Sequence, residues 1–98
     1  PPSYGEAAQI IGDDVLDALI SMGDIVRLSP DVIFERTIYQ QLIEKALEAI
    51  DRKGSVTVSE LRDALGSSRK YVLALLEDLD RQGITRRIDD VRVRGHKS

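Results

Sequence analysis

Ser67-Ser68-Arg69-Lys70-Tyr71 gathers two hydroxyls, two cations and an aromatic ring into one short stretch. Val72, Leu75, Leu76 and Leu79 follow at helical spacing, so the stretch reads as a helix start with Ser67 or Ser68 as N-cap. Arg69 and Lys70 then occupy the positive end of the helix dipole, while Glu77, Asp78 and Asp80 lie toward the negative end. Each such charge costs roughly a few tenths of a kcal/mol in isolation. The chemistry it favours is anion binding: a helix N-terminus presents unpaired N–H groups to phosphate, and two cations there add full charges. Capping serines also reach phosphate. Tyr71 either packs beneath the helix start or offers its ring to an unpaired base.

A second basic cluster lies in "ITRRIDDVRVRG", residues 84–95, which reads as a β-hairpin turning at Asp89-Asp90. That register sets Arg87 opposite Arg92, Arg86 opposite Val93 and Ile88 opposite Val91, with Arg94 diagonal to the arginine pair. Like charges directly across a hairpin destabilise it. The expectation is that Ile84, Ile88, Val91 and Val93 take the inner face and the arginines an outward row. With Arg69 and Lys70, such a row is an electrostatic footprint for nucleic acid.

Enzymatic chemistry finds little support. The chain has no GxxxxGK[ST] phosphate loop and no GxGxxG turn. It has no cysteine, hence no disulfide and no thiolate metal site. The single histidine, His96, sits in a basic tail beside Lys97. No catalytic residue, metal or cofactor is expected. No apolar run approaches the roughly 18 residues of a membrane span, and a cytoplasmic location is expected. The net charge of −3 conceals a gradient. Residues 1–35 carry one basic residue against seven acidic ones, and residues 66–98 carry eight against five. The basic half is the one suited to a polyanion.

The elements that must position these groups follow from periodicity. Residues 37–52 read as a helix through Ile38, Leu42, Ala46 and Ile50. "SVT" is a short extended link, and Thr57 with Glu60 has capping-box spacing for a helix over 58–65. A short turn leads into the helix after Ser68, which stops at Gly83. Helix, helix, helix and hairpin make the winged-helix plan, with the Arg69 helix as recognition helix and the hairpin as wing. The N-terminal half repeats part of it. Ser3 and Glu6 match Thr57 and Glu60, "AAQIIG" matches "LRDALG", and "DIVRLSPDVIFE" is a second hairpin turning at Ser29-Pro30-Asp31. The fold class is therefore mostly α with short β-hairpins (α+β). It comprises a partial winged helix lacking its first helix over 1–36 and a complete winged helix over 37–98. Asp13, Asp14 and Asp17 stand where the first unit would meet a polyanion, so that unit is expected to act as a spacer or protein contact.

Ser68-Arg69-Lys70-Tyr71, Leu75-Leu76-Glu77 and Thr85-Arg86-Arg87 together resemble the last winged-helix domain of the bacterial selenocysteine-specific elongation factor SelB. "PPSYGEAAQIIG" and the hairpin Ile25–Glu35 resemble the winged helix that precedes it. The wing tip departs from the pattern: Asp89-Asp90-Val91 replaces a Gly-Asp pair followed by a basic residue. The resemblance implies a monomeric binding module of a GTPase. Its partner is an mRNA hairpin, the selenocysteine insertion element near a UGA codon, with the ribosome met only indirectly. It implies RNA contacts by Ser67, Ser68, Arg69, Lys70, Arg86, Arg87 and Arg92, to which the reading of the residues above adds Tyr71 and Arg94. The residues themselves leave two alternatives, a DNA-binding transcription regulator and a protein-interaction winged helix. Against the first stand Glu77, Asp78 and Asp80, read as lying on the exposed face of the recognition helix.

Overall fold

A computed structural model describes residues 2–96. The chain divides into two compact units, Pro1–Gln41 and Leu42–Ser98, and the division falls inside a helix.

The first unit contains helices α1 (Tyr4–Ile11) and α2 (Asp13–Ser21), strands β1 (Ile25–Arg27) and β2 (Ile33–Glu35), and the opening of helix α3 (Arg36–Lys53). Ser3 starts α1 with a complete capping box: its hydroxyl accepts from the Glu6 N–H, and the Glu6 carboxylate accepts from the Ser3 N–H. β1 and β2 pair antiparallel with Val26 opposite Phe34. Ala7, Leu16 and Ile33 form the centre of its core, with Tyr4, Ala8, Ile20 and Ile25 around them. Tyr4 donates its hydroxyl to Asp17 at 2.7 Å and carries the Arg27 guanidinium 3.8 Å above its ring. The Asp17 hydrogen bond raises the Tyr4 pKa. Ile10, Val15 and Met22 are left exposed. Leu16 is nonetheless fully buried, so this unit has a core of its own.

The second unit contains the rest of α3, β3 (Val56–Thr57), α4 (Val58–Leu65), α5 (Arg69–Gln82), β4 (Thr85–Ile88) and β5 (Val91–Arg94). Thr57 caps α4 with the reciprocal Thr57–Glu60 box. Ser68 caps α5, accepting from the Tyr71 N–H, and Gly83 ends it in the left-handed conformation that a Cβ disfavours. Ala46 and Ile50 of α3 pack with Val56, Leu61, Val72 and Leu76 in the main core. The link "SVT" is more than a connector. Val56 and Thr57 pair with Arg92 and Val91, so the wing is a three-stranded sheet in the order β3-β5-β4. A two-residue pairing is too short for alternation to show in sequence.

A candidate nucleic-acid interface

The hairpin register is the one expected from its turn: Thr85 faces Arg94, Arg86 faces Val93, Arg87 faces Arg92 and Ile88 faces Val91. Asp89 takes a positive φ of 55° at the turn. The facing of the hairpin departs from the sequence expectation in part: Ile84, Val91 and Val93 are half-buried and Arg86, Arg87 and Arg94 are exposed, as expected, but Arg92 and Ile88 have changed places. Thr85 and Arg92 turn inward, at 2% and 4% exposure, while Ile88 is 41% exposed. Strand alternation separates two faces without saying which is inner, and here an ion pair replaces apolar burial.

That ion pair runs to α5. Asp80 Oδ2 accepts from Arg92 Nε at 3.1 Å and Nη2 at 3.0 Å, and Asp80 Oδ1 accepts from the Thr85 hydroxyl at 2.6 Å. Arg92 is therefore removed from the outward row. Arg94 is exposed but committed to a forked pair with Asp51 of α3, at 2.9 and 2.8 Å. This pairing lowers the Asp51 pKa and raises that of Arg94. Among the described residues no buried side-chain nitrogen or oxygen lacks a partner.

The charges that oppose the α5 dipole now separate into two kinds. Asp80 belongs to the wing attachment. Asp78 is only 17% exposed and accepts from Gln82 at 2.8 Å. Neither lies free on the exposed face, which leaves Glu77 as its one exposed acid and corrects the reading of three. At the other end, Arg69 is exposed and has no ion-pair partner among the described residues. Lys70 is exposed, with its ammonium 6.0 Å from the centroid of the half-buried Tyr71 ring. Ser67 is half-buried in the turn and Ser68 is spent on its cap. On the wing, Arg86 is exposed without an ion pair, and Arg87 is exposed with Nε donating to the Asp89 carbonyl at 2.8 Å.

A cleft of about 440 Å³ separates α5 from the wing. Arg69, Leu73, Glu77 and Asp80 of α5 line it together with Arg87, Asp90 and Arg92 of the wing, and the Thr57–Ser59 stretch closes it, so its three arginines share it with three carboxylates. Of the nine residues singled out from sequence, the structure brings Arg69, Arg87 and Arg92 to this cleft. Arg94 turns to α3. Sequence reasoning missed Asp80 and Asp51 as partners of arginines. Asp51 lies 43 residues from Arg94, and no local spacing signals such a pair.

Residues 48–94 match the family model described as elongation factor SelB, winged helix. That match spans just under half of the chain and lies wholly within the second unit. The chain is similar to the mRNA-binding domain of elongation factor SelB from E. coli, solved in complex with SECIS RNA, at 25% identity and a TM-score of 0.74. That likeness covers 82% of this chain and 66% of the other. It is also similar to the bacterial selenocysteine-specific elongation factor EF-Sec, at 22% identity and a TM-score of 0.80. Here 98% of this chain and 16% of the factor are covered, and the likeness speaks for the fold. A weaker likeness to the S-adenosylmethionine-dependent methyltransferase SibL, 18% identical with a TM-score of 0.53, also concerns fold alone. No curated protein matches the chain. The match covers the helix-turn-helix and hairpin of the second unit and none of residues 1–36.

Proposed function

We propose that this chain is the mRNA-binding part of a selenocysteine-specific elongation factor. It binds a selenocysteine insertion hairpin and thereby tethers a GTPase, carried elsewhere in the factor, near a UGA codon. The observation that supports this best is the pairing of the SelB-type second unit with Arg69 and Arg87 across one cleft. An A-form stem excludes an inserted helix from its narrow major groove, so the contacts fall on phosphates and on bases in loops or bulges. The start of α5 and the wing suit that task, since both project exposed cations without burying a long helix face. In this reading residues 37–98 carry the RNA contact and residues 1–36 are a partial winged helix serving as spacer. The module works as a monomer in the cytoplasm, without a cofactor, and meets the ribosome only through the factor.

The test is binding of the chain to stem-loop RNAs taken from just after in-frame UGA codons of the source organism. Controls are an unrelated stem-loop and duplex DNA of the same sequence. Preference for one such stem-loop, with affinity falling as salt rises, is the expected result. Equal binding to all three, or preference for the duplex DNA, would overturn the reading.

A further inference from the structure

We propose that Asp80 is the positioning residue of this interface, holding the wing so that Arg87 faces Arg69 across the cleft. The inference rests on the RNA-binding reading and deepens it. One carboxylate reaches both strands of the wing: Thr85 opens β4 and Arg92 lies in β5, and Asp80 accepts hydrogen bonds from both. The Arg92 side chain is 5% exposed and that of Asp80 25%, so water screens the contact poorly. Arg92 also stands directly opposite Arg87. Two guanidinium groups in that register repel each other. The Asp80 charge offsets the repulsion and draws one of the two inward, leaving Arg87 on the exposed wall. β5 has other anchors, through β3 at Val56 and through Asp51 at Arg94. The base of β4 follows α5 directly, with the Ile84 N–H donating to the Leu79 carbonyl, and beyond that base β4 is held through β5 and through Asp80.

The sign of the expected effect separates positioning from charge. An acid beside an RNA site that served no purpose would repel phosphate, and its removal would tighten binding. Asp80→Asn makes the cleft more positive by one charge. With Asp80 as the positioning residue, it instead weakens binding of the selenocysteine insertion stem-loop by about tenfold, as expected for one misplaced arginine contact. Binding to unstructured poly(U), which needs no fixed wing, stays equal or becomes tighter. The dependence of log affinity for the stem-loop on log salt flattens by about 0.7–0.9, the contribution of one lost phosphate contact. Arg92→Ala produces the same loss, and the double variant adds nothing further.

An arm without RNA reads the wing directly. Heteronuclear NOE values for the amides of residues 86–91 fall in Asp80→Asn, while those of α4 and the first turns of α5 stay at wild-type values and report an intact fold. Should Asp80→Asn fail to fold, Asp80→Glu keeps the charge, moves the carboxylate by one methylene and is read in the same two arms. Equal or tighter stem-loop binding by the folded variant, or unchanged wing NOE values, overturns the proposal. If the wild-type chain binds no stem-loop, the RNA reading fails by itself, and the NOE arm still decides whether Asp80 holds the wing.

Discussion

Arg92→Ala is expected to destabilise the second unit far more than Arg86→Ala, although both residues are arginines of one hairpin. Arg92 is 4% exposed and gives both Nε and Nη2 to Asp80 within 3.1 Å. Removing one partner of a buried ion pair costs about 3–5 kcal/mol, because the other charge is left desolvated and unpaired. Asp80 retains 25% side-chain exposure and the Thr85 hydroxyl. Water and that hydroxyl recover part of the loss, which lowers the figure to about 2–3 kcal/mol. The buried aliphatic stem of Arg92 returns the total to about 2–4 kcal/mol. For a unit of this size that corresponds to a fall in melting temperature of roughly 10–20 °C. Arg86 is exposed and has no ion-pair partner among the described residues, so its replacement stays within about 0.5 kcal/mol of wild type. Thermal melts followed by circular dichroism at neutral pH compare the two directly. Equal melting temperatures would refute the reasoning and return Arg92 to the outward row that the sequence suggested.

Arg69→Ala is expected to leave stability unchanged or slightly raised, since it removes a cation from a helix N-terminus. The same change should weaken RNA stem-loop binding by about 1–3 kcal/mol in salt-titrated binding assays. Gly95→Ala should destabilise the hairpin base by about 1–3 kcal/mol in a urea melt, because a Cβ there collides with the Gly83 carbonyl and overpacked backbone has to move. The Asp51 pKa is lowered in the folded chain by the Arg94 hydrogen bonds, so this pair contributes stability above the ordinary carboxylate range. The contribution is lost as pH falls through that range. The acid-side slope of stability against pH should therefore be shallower in Asp51→Asn than in wild type, as read from melts at stepped pH. Asp89→Gly should stabilise the wing by about a few tenths of a kcal/mol in the same melts, as the turn already holds a positive φ that glycine adopts freely.

Local signals carried most of the element plan. The capping boxes at Ser3–Glu6 and Thr57–Glu60, the Ser68 cap, the Gly83 stop and the Asp89-Asp90 turn are each written within a few neighbouring residues, and each forms. Such features depend on backbone groups close in sequence, so spacing alone determines them. The hairpin register was legible for the same reason, because a two-residue turn sets which residues face one another. What the tertiary structure decided was which side chains of the hairpin are buried. Ile88, Val91 and Val93 suggested an apolar inner face, yet Ile88 is exposed, Val91 and Val93 are half-buried, and Arg92 and Thr85 are the buried residues, because Asp80 stands on α5 to receive them. Burying a guanidinium is unfavourable unless a carboxylate meets it, and where that carboxylate lies depends on how helix and sheet pack. The same holds for Arg94 and Asp51, which meet only because the folded unit brings the last turn of α3 to the end of β5. Sequence thus determined which residues carry charge and on which element. Only the packed structure sorted those charges into pairs that hold the wing and cations such as Arg69 and Arg86 that remain without an ion pair among the described residues.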